Sequence, residues 1–135
     1  VTVVDTSAIV AVLWSEPEAD AFWHVLHAAT PARMSVGTYI EARLVLEGGR
    51  RGGMEGVLDE LVEALEIALE PVTLEQGRIA ADAHRRFGRG SGHPARLNVG
   101  DCFSYALAKT AGEPLLFKGD DFGLTDIVPA IPAAG

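Results

Sequence analysis

The chain has 135 residues, 48% apolar and 22% charged, with a single cysteine, which predicts one domain (residues 1–135) and excludes a disulfide scaffold. No apolar run approaches the roughly 18 residues of a membrane span, and Val1-Thr-Val-Val-Asp5 lacks a signal peptide's basic and apolar segments. The expectation is a cytoplasmic protein with no membrane partner, and a net charge of −8 argues against a general phosphate-binding surface.

Val1–Val4 is short, β-branched and reads as a buried strand ending at Asp5. Thr6 or Ser7 then caps a helix through Trp14. Pro17 suits the first turn of a second helix, with Glu16, Glu18 and Asp20 at its positive end. Phe22, Trp23, Leu26 and Ala29 form its apolar stripe, and Pro31 stops it. Arg33–Val36 is the second predicted strand. The pattern Thr38-Tyr-Ile-Glu41 predicts a capping box that opens a helix running to the Gly48-Gly49 break.

Apolar residues at 54, 57, 58, 61, 62 and 65 repeat with a helical period, and Ile67–Leu69 before Pro71 is a third strand. Thr73-Leu-Glu-Gln76 is a second capping box, opening a helix to Phe87 that Gly88 terminates. Gly88–Gly92 with Pro94 makes the longest loop. Asp101–Ala111 reads as a helix ended by Gly112, Leu115–Phe117 as a fourth strand, and Ile127–Val128, reaching toward Ile131, as a short fifth. Strands that are continuous apolar runs, alternating with helices, predict an α/β three-layer domain with a mostly parallel central sheet of about five strands. Such folds place their chemistry at the carboxyl ends of the strands.

Acids stand at those ends. Asp5 follows strand one, Glu41 opens the helix after strand two, Asp101 opens the helix before strand four, and Asp120 and Asp121 follow strand four. Right-handed crossovers bring these segments to one edge of the sheet. Clustered carboxylates repel unless a cation sits among them, and hard oxygen donors without thiolates suit Mg²⁺, or Mn²⁺ as its substitute. The matching chemistry is displacement at phosphorus, where the metal polarises phosphate oxygens and acidifies the attacking water. Each acid also has a structural reading. Glu41 is the reciprocal arm of a capping box, Asp101 a helix cap or first-turn acid, and Asp120 and Asp121 turn formers beside Gly119. Asp5 is harder to dismiss, because an acid directly after a buried strand is costly unless something binds it.

Four blocks carry a family resemblance: Val-Val-Asp5-Thr-Ser7-Ala, Thr-Tyr-Ile-Glu41-Ala, Leu97-Asn-Val-Gly-Asp101-Cys-Phe-Ser-Tyr-Ala-Leu-Ala-Lys109, and Leu-Leu-Phe-Lys118-Gly-Asp-Asp-Phe-Gly-Leu-Thr-Asp126-Ile. In this order, over essentially the whole chain, they resemble the PIN-domain ribonucleases, and more narrowly the VapC toxins of bacterial toxin–antitoxin pairs. The resemblance implies a three-layer PIN-like fold and a Mg²⁺- or Mn²⁺-dependent endoribonuclease acting on an RNA substrate. It further implies a homodimer that is silenced by a VapB-type antitoxin within a larger toxin–antitoxin assembly. The antitoxin's C-terminal segment is expected to cover the acidic pocket with an Arg. Carried over by position, Asp5, Glu41 and Asp101 match the family's first three acids. The fourth is Asp121, with Asp120 as rival. Thr6 or Ser7 is then a hydroxyl near the scissile phosphate, and Asn98 orients a carboxylate or caps its helix.

Charge is polarised along the chain. Residues 55–75 carry seven acids and no Lys or Arg, whereas residues 78–96 carry Arg78, Arg85, Arg86, Arg89 and Arg96 against Asp82 alone. Arg85, Arg86, Arg89 and Arg96, with Lys118, are candidates for RNA phosphate contacts, the alternative being a solvated surface. Gly88-Arg-Gly-Ser-Gly92 is not a phosphate-binding P-loop, since it lacks the Gly-Lys-Ser/Thr ending and follows a helix. His24 and His27 share a helix face but have no further ligands nearby in sequence, His84 and His93 have no partner spacing, and Cys102 reads as a small buried hydrophobe.

Other classes also place acids at parallel-strand ends. An aspartyl-nucleophile phosphatase expects a second Asp two residues after the first, where this chain has Ser7. A phosphoacceptor receiver expects an Asp after strand three, where this chain has Pro71 and Val72. A catalytically silent RNA- or protein-binding module on the same fold is the remaining alternative.

Overall fold

Val3 and Val4 form β1, and neither exposes any surface. A strand so enclosed needs a partner on each edge, and β1 has both in this computed structural model, which describes residues 1–29, 31–48 and 53–132. On one side lies β2 (Arg33–Ser35), itself flanked by β3 (Ala68–Glu70), and on the other β4 (Leu115–Leu116). The order is β3-β2-β1-β4 and every pairing is parallel, with Val3 opposite both Arg33 and Leu115. Parallel neighbours require long crossovers, and the helices supply them. These are α1 (Thr6–Leu13), α2 (Ala19–Ala28), α3 (Val36–Gly48), α4 (Glu55–Ala64), α5 (Leu74–Phe87) and α6 (Val99–Ala111). A 3₁₀ turn at Phe122–Leu124 follows β4.

Successive strand residues face opposite ways, so Val4 and Val3 each seed a separate core. Val4 packs with Ile9, Phe22, Leu26, Met34, Leu46, Leu58 and Leu116, and Val3 with Ala83, Phe87, Leu97, Tyr105, Leu107 and Leu115. The result is the expected sheet between two helical layers. Among the described residues, no helix is long and apolar enough to cross a membrane.

Three expectations need correction. The fifth strand is a single parallel bridge between Leu115 and Pro129. Val128 O and the Ala130 N–H make that bridge, so the missing N–H of Pro129 faces away from β4; the next rung would need an N–H at Pro132, which has none, while Ile127 turns into the core. Helix α1 is capped by Asp5 rather than by Thr6 or Ser7, the Ser7 N–H donating to Asp5 Oδ2 at 3.0 Å. Helix α3 starts at Val36, before the predicted capping box. Ser35 Oγ accepts the Gly37 N–H at 3.1 Å, so Thr38 lies inside the first turn and Glu41 is released from any capping duty. That early start depends on Gly37, because a Cβ there would fall within the Phe103 ring of α6.

Smaller differences share one cause, local geometry overriding a sequence signal. Helix α2 begins at Ala19, just beyond Pro17. Thr73 caps α5 by accepting the Gln76 N–H, but Gln76 Oε1 is buried without a partner, so the reciprocal arm is not made. The long loop is tied shut by a parallel bridge, Arg89 N–H to Leu97 O at 3.0 Å and Leu97 N–H to Phe87 O at 2.9 Å. Gly48 ends α3 as expected, whereas Gly49 lies outside the described residues.

Candidate active site

The carboxyl end of β1 delivers Asp5 into the interior, 2% exposed, where a bare charge is strongly disfavoured. Three donors meet it. Ser7 gives its N–H (3.0 Å) and its hydroxyl (2.7 Å) to Oδ2, and the Ser104 hydroxyl reaches Oδ1 at 2.5 Å. Because Ser104 spends its proton on Asp5, the Thr38 hydroxyl, 2.9 Å away, donates to Ser104 in turn. Ser7 Oγ also accepts the Lys118 N–H at 2.9 Å, tying the segment after β4 to the start of α1. Burial pushes the Asp5 carboxyl above its ordinary range, and the Ser104, Ser7 and Thr6 hydrogen bonds oppose that shift.

Glu41 arrives from the second turn of α3. Its carboxylate lies against the α-carbon of Gly100 in the first turn of α6, at the helix's positive end. The Thr6 hydroxyl is shared between this carboxylate and the Thr38 carbonyl, 3.3 Å distant. Burial raises the Glu41 pKa most, Asp5's charge raises it further, and the Thr6 hydrogen bond works against both.

Asp101 sits at the third position of α6 within a complete capping box. Its N–H donates to Asn98 Oδ1 (2.8 Å), and its Oδ2 accepts the Asn98 N–H (2.9 Å). The Asn98 side chain is thus the helix cap, and it is the Asn98 backbone N–H that holds the Asp101 carboxylate. The Asp101 pKa is pushed up to about 7, chiefly by burial. The Asn98 hydrogen bond lowers it, and the charges of Asp5, Glu41 and Asp121 raise it. Asp121 thus shares the electrostatic field of the other acids. Asp120 instead lines a neighbouring cavity of about 620 Å³ with Phe22, Phe117, Leu124 and Ile131.

Among the described residues, no ion pair reaches Asp5, Glu41, Asp101 or Asp121. Lys118 Nζ is held by Glu16 (3.2 Å) and Glu18 (3.3 Å), so this segment approaches the acids through its backbone rather than its ammonium. Also among the described residues, no three Asp, Glu, His or Cys groups stand close enough to form a ready cation cage. An all-oxygen donor set whose members raise one another's pKa still fits Mg²⁺. That ion retains several of its own waters and takes one or two carboxylates rather than a full protein shell.

The remaining candidates have partners of their own or lie exposed. Arg85 and Arg86, in the last turn of α5, share Asp82 as counter-charge at 2.5 and 3.7 Å, and Arg86 also covers the Phe87 ring. Arg89 and Arg96 are exposed on the loop that leads into Asn98. His24 and His27 are exposed on α2, and the His93 ring packs edge-on against Phe87. The buried Cys102 thiol is pushed up to about 11 by burial and by Asp101's charge, which makes it unreactive. Sequence reasoning missed Ser104, and it read Thr38 as a cap. The available signal was helical spacing, since Asp101 and Ser104, like Thr38 and Glu41, are three apart and share a face.

Comparison with known proteins bears on the family and the fold. The PIN domain family profile matches residues 2–128. Ribonuclease VapC28 of Mycobacterium tuberculosis is 50% identical over 129 residues, covering 96% of this chain and 97% of that one. Ribonuclease VapC of Mycolicibacterium smegmatis is 48% identical over 128 residues, covering 93% and 96%. Among solved structures, VapC20 of Mycobacterium tuberculosis, described as a sarcin-ricin loop cleaving toxin, superposes with a TM-score of 0.72 at 21% identity, covering 98% of this chain and all of that one. FitAcB from Neisseria gonorrhoeae gives 0.68 at 21% identity with 96% of each chain covered, and these two show the shared fold.

The raised Asp101 pKa has a consequence for stability. Between its ordinary 3.8 and about 7, the native state keeps a proton that the unfolded chain has lost, so rising pH removes stability across that window and no further above it. In metal-free buffer, Asp101→Asn, which keeps an oxygen for the Asn98 N–H, is expected to gain stability over wild type by a margin that grows from about pH 4 to 7 and then levels. Urea denaturation at several pH values measures this margin, and one independent of pH would refute the electrostatic assignment.

Proposed function

The chain belongs to the PIN-domain family and, within it, to the VapC ribonucleases; from that membership we propose that it is the toxin of a toxin–antitoxin pair and hydrolyses RNA phosphodiesters with Mg²⁺ or Mn²⁺. The observation that carries this reading is the convergence of acids from four separate chain segments on one field, with Asp101 raised to about 7 by burial and its neighbours' charges. Asp5, Glu41, Asp101 and Asp121 would hold the cation. When bound, it offsets their charge, polarises the phosphodiester and acidifies water for in-line attack, leaving 5′-phosphate and 3′-hydroxyl ends.

The protein's part is to hold these oxygens still. Ser7 and Ser104 fix the two oxygens of Asp5, Thr6 steadies Glu41, and the Asn98 N–H holds Asp101 through Oδ2. Arg89 and Arg96, exposed on the loop ahead of Asn98, and Arg85 and Arg86 in the last turn of α5 would take RNA phosphates.

Two surfaces support the partners. A cavity of about 800 Å³ between α1, α2 and α4 is lined by Leu13, Trp23, Val57 and Leu61 together with Glu16, Asp20 and Glu60. Those features suit a VapB-type antitoxin helix with one apolar face and basic flanks. On α3, the exposed Val36, Ile40 and Leu44 repeat every four residues, a stripe suited to pairing with a second copy in a homodimer. Ile40→Asp with Leu44→Asp is expected to give a monomer by sedimentation. An unchanged molecular mass would remove that face from the proposal.

Cleavage is tested on total cellular RNA with sequencing of the new ends. Wild type is expected to cut in Mg²⁺ and to stop in EDTA. Asp5→Asn and Asp101→Asn should each lose about a hundredfold or more while melting cooperatively. Full cleavage by both variants in EDTA would end the nuclease reading.

A further inference from the structure

Gly100 occupies the second position of α6, and its backbone is in an ordinary helical conformation open to any residue. Nothing about that backbone calls for glycine, and alanine is the better helix former there. The reason for glycine lies across the interface. A Cβ at position 100 would coincide with the end of the Glu41 side chain, both carboxylate oxygens and Cδ being its nearest atoms. By contrast, Gly77 in the interior of α5 has open space in the same direction.

Resting on the cation-dependent reading above, we infer that Gly100 is a positioning residue, whose missing side chain sets where the Glu41 carboxylate stands relative to Asp5 and Asp101. Glu41 is held on one side by the Thr6 hydroxyl of α1 and on the other by the bare α-carbon of α6. In that slot its charge acts on Asp101 and feels that of Asp5. The three atoms that a methyl group at position 100 would meet first all belong to the flexible end of Glu41, so the carboxylate is expected to swing away while α3 and α6 stay packed. The expected damage is therefore to the site and not to the fold.

The test compares Mn²⁺ binding by calorimetry with thermal melting of the metal-free protein. Gly100→Ala is expected to melt at or above the wild-type temperature yet bind Mn²⁺ about tenfold or more weakly, as when a ligand loses its support. Gly77→Ala should leave Mn²⁺ binding unchanged. Glu41→Asp, one methylene shorter, is expected to weaken binding alone but to recover part of the loss when combined with Gly100→Ala, a rescue that a merely structural glycine would not produce. In a Glu41→Ala background, adding Gly100→Ala should leave Mn²⁺ affinity unchanged and melting level or raised, which covers the case in which the single variant folds poorly. Wild-type affinity in Gly100→Ala, or an equal loss with and without Glu41, would overturn the inference. Absence of Mn²⁺ binding by wild type itself would overturn the cation reading and this inference with it, and the wild-type arm alone distinguishes that failure.

Discussion

A carboxylate that is 2% exposed at the end of a two-residue strand is the constraint from which this molecule is organised. The charge of Asp5 tolerates burial only because three donors converge on it, and each comes with an obligation elsewhere. Ser7 must begin α1, Ser104 must lie one turn beyond Asp101 on α6, and Thr38 must be inside α3 to satisfy Ser104. One buried charge therefore couples the first strand to helices that start more than thirty and nearly a hundred residues later in the chain.

The parallel order β3-β2-β1-β4 does the gathering. With β1 inside the sheet, the ends of β1, β2 and β4 deliver Asp5, the start of α3 and the Lys118–Asp121 segment to one rim, and α6 brings Asp101 down onto it. Burial first, and the like charges held there second, oppose folding at neutral pH, and together they push Asp101 up to about 7. Capping geometry offsets part of that cost. Asp5 and Asp101 both cap helices, so the same oxygens that repel one another also satisfy orphan N–H groups. Structural and functional readings of these two acids are thus complementary, and neither excludes the other.

Much of this was legible in the residues. Short apolar strands alternating with helices reported the layered α/β fold, and an acid after each of three strands reported the rim that collects them. What escaped were features decided across space. Thr38 and Glu41 carry a local capping signal, yet Gly37 lets α3 start two residues earlier against Phe103 and frees both side chains for the site. Ser104 looks like any small helix residue until Asp5 arrives beside it. The choice between Asp120 and Asp121 turns on the path of one loop, which directs the first toward a cavity and the second toward Asp101. A fifth strand was suggested by apolar composition, but the proline at 132 removes the next donor and limits it to a bridge.

The central proposal is that carboxylates from distant parts of the chain, at least two of Asp5, Glu41, Asp101 and Asp121, hold one divalent cation in the field of the others. Anomalous diffraction at the manganese edge from crystals soaked in Mn²⁺ addresses it without reference to any RNA. The account predicts a peak within coordination distance, about 2.0–2.6 Å, of oxygens from at least two of Asp5, Glu41, Asp101 and Asp121. A peak placed elsewhere, or none at these side chains in well-ordered density, would contradict it.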